Sequence, residues 1–420
     1  MSFKHKKSKE ENRGLIQKTY SLSIYPNNKQ EQLLARFFGV SRYLYNKGLN
    51  LKIETYKAEK KTLTYGELAK FLTAWRSSKE WLWDVACSVE QQALLHLETA
   101  FKNFFRRVKN KEKSGFPRFK SKRGKQSFEY PAGVKLTKTK IYLPILGWVP
   151  YKNGRNITSL EIGKVTVLKT STGKYKAQVL VKTGIKIPEK LPVTKSSITG
   201  IDLGLTSFLV ASNGLTVPNP NFFKIFIKPL ARINRSLARK RRGSSNWKKA
   251  KLSLARLYEK LSNQRKNFLH STVNKLVDEN QATCFKVESL NIQGLMKNHR
   301  LARSIQNASW NEFLRILEYK ANWKGKTVVK VDRFYPSSKL CSQCGYKNKE
   351  LKLGTRSWIC PVCKIVLDRD LNAALNLKNF NREGNSRINA SGEASLVRSL
   401  VERGNPVEAQ KSASEALTCL

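Results

Sequence analysis

The chain has 420 residues, 40% of them hydrophobic and 10% aromatic, enough to build the cores of two or three domains. Against 30 Asp and Glu stand 80 Lys and Arg, a formal net charge of +50, which excludes a protein without a polyanionic partner and points to nucleic acid. There is no run of eighteen apolar residues and no signal peptide in the polar start MSFKHKKSKEENRG, so a membrane partner is set aside and a cytoplasmic protein expected.

In chain order, IQKTYSLSIY (residues 16–25) alternates like a strand and is broken by Pro26 and Asn27. Leu33, Leu34, Phe37, Val40, Leu44 and Leu49 then recur at helical spacing. A second stripe, Leu94, Leu97, Phe101, Phe104, Phe105 and Val108, predicts a helix over Val89–Val108 with its apolar face in a core. Of Trp75, Trp81 and Trp83 between them, two are expected in that core. Residues 106–125 carry ten Lys or Arg and one Glu, interleaved with Phe116 and Phe119. That density marks Arg106, Arg107, Arg118, Lys120, Lys122 and Arg123 as contacts to a nucleic-acid backbone; the alternative is a solvated loop. Residues 126–190 read as β-structure that the first strand would complete into a small barrel.

From Ser197 the pattern turns α/β. SSITGIDLGLTSFLVASNGLTV predicts two strands about a tight turn at Gly204, with Asp202 ending the first. A long basic helical stretch follows over residues 228–280; within it Arg239, Arg241, Arg242, Lys248 and Lys249 are further candidate contacts. A buried strand, Thr283 to Val287, ends in Glu288; a helix through SWNEFLRILEYKANWKG and a strand KTVVKVD come next. Cys341 and Cys344 form one C-x2-C knuckle and Cys360 and Cys363 another, fifteen residues apart, a tetrahedral zinc signature. Cys87, Cys284 and Cys419 are isolated, a pattern of metal binding in a reducing compartment rather than of disulfides. Asp370 opens the amphipathic segment DLNAALNL, as a helix N-cap or as a metal ligand. The tail, residues 381–420, holds five basic residues and five Glu and is expected to be flexible.

Asp202, Glu288 and Asp370 share a setting: each follows an apolar run and precedes a turn or helix start. A carboxylate ending a buried strand needs a counter-charge. Three such groups converging at one sheet edge would bind Mg2+ through hard oxygen ligands, two ions about 3.5–4 Å apart activating water on a phosphodiester. The alternative for each is an ion pair with a neighbouring Lys or Arg. Asp368 competes with Asp370, and Asp332 is a further candidate.

The segments YPNNKQEQLL, SRYLYNKGL, LETAFKNFFRR, GFPRFKSK, GIDLGL, VESLNIQGLMKN, FYPSSKLCSQCG and CPVCKIVLDRDLNAALNL resemble TnpB, a transposon-encoded family of RNA-guided DNA nucleases related to the type V CRISPR effectors. The resemblance covers nearly all of residues 16–380. It implies a multidomain α+β protein. A β-barrel wedge domain would take residues 1–25 and 113–195, with a helical recognition lobe (26–112) inserted after its first strand. An RNase H-like (RuvC) α/β nuclease domain would span 196–380 and carry a four-cysteine zinc insert at 338–366.

The resemblance also implies Asp202, Glu288 and Asp370 as catalytic Mg2+ ligands, and it selects Asp370 over Asp368. The four knuckle cysteines would hold a structural Zn2+. The partners implied are a guide RNA from the transposon end and double-stranded target DNA cut beside a short flanking motif, with a partner transposase of the same element a further candidate. Two other readings stand beside this one: an RNA-guided repressor that binds without cutting, and a transposase or accessory protein of the element.

Overall fold

The computed structural model describes residues 14–152, 157, 160–352 and 354–381, so the tail beyond residue 381 lies outside it. The described residues divide into two compact units, one ending at Lys186 and the other beginning at Ile187. Among the described residues no helix is long and apolar enough to cross a membrane.

The first unit opens with strand β1 (Leu15–Ile24), followed by helices α1 (Asn28–Glu59), α2 (Tyr65–Ser77) and α3 (Cys87–Lys109). Reciprocal side-chain caps start the first two. Asn27 Oδ1 accepts from Gln30 N at 2.9 Å while Gln30 Oε1 accepts from Asn27 N at 3.1 Å, and Thr64 and Glu67 repeat the arrangement. The stripe of α1 is buried as its spacing predicts, with Leu34, Phe37, Leu44 and Leu49 all at 0% exposure.

The stripe of α3 is buried only through Phe101. Phe105 and Val108 are half-exposed at 51% and 49%, because Phe101, Phe104, Phe105 and Phe116 close a ring cluster of their own beside the basic run. Of the three tryptophans one, not two, is core. The 3-10 turn Glu80–Leu82 buries Leu82 and turns its neighbours outward, so that Trp81 packs on Tyr43 and Trp83 carries the Arg76 guanidinium at 4.1 Å.

Strands β2 (Gln126–Tyr130), β3 (Lys135–Leu136), β4 (Lys140–Leu143), β5 (Gly147–Lys152), β6 (Glu161–Lys169) and β7 (Tyr175–Lys186) follow. With β1 they form one seven-stranded sheet in the order β2-β6-β7-β1-β5-β4-β3. Thr19 pairs with Leu180 and Phe128 with Val167, both antiparallel. No pairing joins β2 to β3 among the described residues, so the expected barrel is an open sheet in its hydrogen bonding. Helices cover the β2 end instead: the Phe37 and Phe38 rings lie 4.9 and 5.3 Å from Phe128. Helices and sheet thus share one hydrophobic core.

The second unit begins with β8 (Ile198–Leu203), β9 (Ser207–Ala211) and β10 (Thr216–Pro218). The single helical stretch expected over 228–280 is two helices, α4 (Phe222–Ala238) and α5 (Ser245–Asp278), broken at Gly243, whose φ of +92° suits glycine. Next come β11 (Cys284–Glu288), the short α6 (Ile292–Leu295), α7 (His299–Ala308), α8 (Trp310–Trp323) and β12 (Thr327–Val331). The hairpin β13 (Ser357–Ile359) and β14 (Val366–Asp368) leads into α9 (Arg369–Asn379).

The sheet order is β10-β9-β8-β11-β12, antiparallel through β8 and parallel from β8 to β12, a mixed α/β layer. Helix α9 lies so close to β8 that a Cβ at Gly200 would run into the Ala374 carbonyl. The buried Lys286 on β11 reaches the other end of α9, its Nζ donating to Lys378 O at 2.9 Å and Phe380 O at 2.6 Å. The helix that carries Asp370 is therefore pinned to the sheet along its length.

Candidate active site and metal centre

Asp202 sits near the end of β8, Glu288 ends the neighbouring strand β11, and Asp370 lies in the first turn of α9 packed on β8. Parallel pairing of Val287 with Ile201 brings the first two to one edge of the sheet. Their electrostatics are coupled. Burial, then the Asp370 and Glu288 carboxylates, push Asp202 up to about 7, against the weaker pull of Arg369 and the Leu203 N–H. Burial also raises Glu288. The three carboxylates do not close into a group of ligand atoms within 4.8 Å; among the described residues the four cysteines alone do so. Arg356 offers partial counter-charge, its Nη1 3.6 Å from Asp370 Oδ1.

The two competing aspartates have different tasks. Asp368 is the N-cap of α9, its Oδ1 accepting from Asp370 N at 3.1 Å and Leu371 N at 2.8 Å. Asp370 keeps its carboxylate for Arg356 and the shared edge. Asp332 Oδ1 accepts from Phe334 N at 2.8 Å and shapes a turn.

The four thiols sit at the two knuckle turns, with Cys341 Sγ 3.5 Å from Cys363 Sγ and Cys344 Sγ 3.5 Å from Cys360 Sγ. A tetrahedron with arms of about 2.3 Å has edges of about 3.8 Å, so the donor set fits one zinc-like ion with no open position. Leu351, Trp358 and Leu367 give this module a small core of its own. It is tied to α9 by two buried asparagines. Asn372 Nδ2 donates to Leu340 O at 2.6 Å, Asn376 Nδ2 donates to Leu340 O and Ser337 O, both at 2.7 Å, and Ser342 N donates to Asn372 Oδ1 at 2.9 Å. Arg356 adds a second tie, accepting from Arg369 N at 2.8 Å and donating to Thr206 Oγ1 at 3.1 Å. No periodicity or spacing marked Arg356, Asn372 or Asn376; only the folded register brings them to the acids and the thiols.

The basic residues singled out from the sequence are all exposed. Arg106, Arg107, Arg118, Lys120, Lys122 and Arg123 lie on the first unit, and Arg239, Arg241, Arg242, Lys248 and Lys249 around the α4–α5 break of the second. Lys120 is the one built into its surroundings. Asn46 brackets its backbone with bonds of 2.9 and 2.7 Å, and its ammonium rests 3.9 Å from the Tyr45 ring. Burial pushes its pKa down, and a cavity of about 480 Å³ opens beside it, lined also by Arg42 and Phe119.

Three family models match the chain: "Helix-turn-helix domain" over 16–61, "Probable transposase" over 179–299, and "Cas12f1-like, TNB domain" over 310–377. Each model covers less than half of the chain, and together they point to a transposase-related class with a segment similar to a Cas12f1-like domain. The first 46 matched residues fold here as a strand and one 32-residue helix rather than as two helices about a turn.

The chain is 35% identical over 373 residues to a Streptomyces pristinaespiralis protein named "Putative RNA-guided DNA endonuclease", covering 86% of this chain and 89% of that one. It is 32% identical over 409 residues to "Putative RNA-guided DNA endonuclease InsQ" of Escherichia coli K12, covering 93% and 96%. A solved Cas12f1-sgRNA-target DNA complex shares the fold at a TM-score of 0.57 and 16% identity, covering 87% of this chain and 99% of that one. The chain belongs to the TnpB family.

Proposed function

We propose that the chain is a transposon-encoded RNA-guided DNA endonuclease whose reacting centre is Asp202, Glu288 and Asp370. The observation that supports this most directly is the coupling of three carboxylates remote in sequence: ionisation of Asp202 is opposed by both of the others. In a chain with 80 basic residues, the partial counter-charge of Arg356 and Arg369 still leaves Asp202 raised, which favours a further cation at the cluster. The hard oxygen donors fit Mg2+, which when bound would polarise a phosphodiester and acidify a water. Asp202 and Glu288 are held on paired strands and Asp370 on a helix pinned by Lys286, so the donors are presented by rigid elements. Arg356 holds the Asp370 carboxylate and offers a cation to a strand arriving at the sheet edge.

In the same reading the four-thiol module is a structural zinc site that presents Arg356. The first unit acts as wedge and recognition lobe, and its basic run meets guide RNA or duplex backbone. The names of the two curated relatives support the guided mode of action. Base pairing would then read sequence while the protein reads backbone shape and a short flanking motif.

The test is cleavage of a matched and a mismatched duplex by the chain with its copurified RNA and Mg2+. Cutting of the matched duplex alone is the expected result, with none from the protein without RNA. Equal cutting of both duplexes overturns guidance. Guided binding without any cut turns the reading to a repressor.

A further inference from the structure

A cavity of about 630 Å³ opens in the second unit between α4, α5 and α7, away from the three carboxylates, none of which lines it. Its walls include two aromatic rings, Phe223 and the half-exposed Tyr258, and three basic side chains, Arg265, His299 and Arg303. No carboxylate is among its lining residues.

Arg265 is the odd group. Its Nη2 donates to Asn307 Oδ1 at 3.0 Å, yet its Nε is buried and has no hydrogen-bond partner among the described residues. Burial pushes its pKa down and no anion offsets that. A half-buried guanidinium that no carboxylate of the cavity wall offsets favours an anion arriving in the cavity. At the rim the Arg303 guanidinium lies 5.8 Å from the centre of the Phe223 ring, where a planar group could join the stack.

The combination of one half-buried guanidinium without an anionic partner in the wall, two aromatic faces and no acid is the chemistry of a nucleotide: a phosphate for Arg265 and a base for the rings. The volume falls in the range that takes one small ligand, and it cannot take a duplex. We propose that this cavity captures a single unpaired nucleotide of a strand bound to the protein, with the phosphate on Arg265 and Arg303 and the base against Tyr258 and Phe223. The proposal rests on nucleic acid being the partner of the chain, and it is independent of the carboxylates. Guide RNA and displaced target DNA both offer unpaired nucleotides.

The full chain is irradiated with oligouridylate or oligothymidylate strands, each carrying one 4-thio base, and adducts are mapped by mass spectrometry. A fully paired duplex with the same base serves as control. The expected result is an adduct on peptides of α4, α5 or α7 with single strands and none there with the duplex; which strand yields it separates RNA from DNA. Stacking on one ring is worth about tenfold in occupancy, so Tyr258→Ala lowers the yield at these peptides by about tenfold while Tyr258→Phe keeps it. Arg303→Gln lowers it as well, and because both sites are exposed, melting temperatures stay at wild type. Adducts confined to other basic segments, such as residues 106–125, or equal yield from the duplex, overturn the pocket and leave nucleic-acid binding intact. A chain that retains no strand at all removes both.

Discussion

Two buried carboxylate sites in this molecule are built in opposite ways. In the first unit Glu129, 6% exposed, sits among partners. Gln92 Nε2 donates to it at 3.1 Å, Thr166 Oγ1 at 3.1 Å and Lys164 Nζ at 3.3 Å, with His96 Nε2 3.8 Å away. Burial alone would raise its pKa, but His96 and Lys164 overturn that and hold it down to about 2. In the second unit Asp202 is raised to about 7 by burial and by two more carboxylates. The same cost of burial is offset by protein cations in one site and left standing in the other. A fold that can surround a buried acid with cations, and does so at Glu129, leaves Asp202 beside two further carboxylates, a setting that suits a candidate metal site.

The sharpest way to break this contrast is to delete the acids of the second site. Asp202→Ala, Glu288→Ala and Asp370→Ala each should lower guided cleavage by about a thousandfold or more while RNA and target binding stay near wild type. Asp368→Ala should keep measurable cleavage and cost about 1 kcal/mol through the lost helix cap. Cleavage and filter binding in parallel decide it; an active Asp370→Ala enzyme removes the second site from the chemistry.

Next in size is the thiol module. Cys341→Ser with Cys360→Ser should remove about one zinc per chain by elemental analysis and unfold the segment that presents Arg356. Retention of the metal by this double variant contradicts a closed four-thiolate site. Third, Lys286→Met withdraws the donor shared by Lys378 O and Phe380 O. It should cost about 3 kcal/mol in unfolding free energy, since two carbonyls lose a charged partner. Cleavage should fall with it because Asp370 loses its fixed position, and unchanged stability would show that α9 is pinned by packing alone.

The parts legible in the sequence are those whose information is local. The knuckle spacing announced the thiol site because each pair closes within one turn. The α1 stripe announced its buried face because period and packing coincide. The acids could be nominated from strand ends, but their coupling depends on parallel pairing of β8 with β11, which no local pattern encodes. Arg356, Asn372 and Asn376 escaped for the same reason: their partners come from other elements. The α3 stripe over-predicted burial because Phe116, beyond the helix, closes a separate ring cluster over its last turns. The barrel was over-read because helices, rather than a returning strand, cover β2.

The last prediction bears on the contrast most directly, because a third acid, Glu90, lies in the same unit as Glu129 yet is raised as Asp202 is. Its side chain is 0% exposed, neither carboxylate oxygen has a hydrogen-bond partner among the described residues, and Arg76 Nη1 stands 3.5 Å off. Burial outweighs Arg76 and raises it to about 7 from 4.5. A raised folded pKa favours the protonated form, so its contribution is full below the unfolded value and is lost as pH rises toward 7. Glu129, with its depressed folded pKa, contributes above the unfolded value and loses that contribution as pH falls toward 2. The two glutamine variants should therefore diverge in opposite directions. Glu129→Gln should lower stability by about 2 kcal/mol at pH 7, the deficit shrinking at pH 3. Glu90→Gln should raise stability by up to about 2 kcal/mol at pH 8 and change little at pH 4. Thermal melts of both variants across that range decide the matter. Parallel pH dependences would mean that Glu90 is held by Arg76 as firmly as Glu129 is by His96 and Lys164, and that burial without hydrogen bonds does not by itself raise a carboxylate.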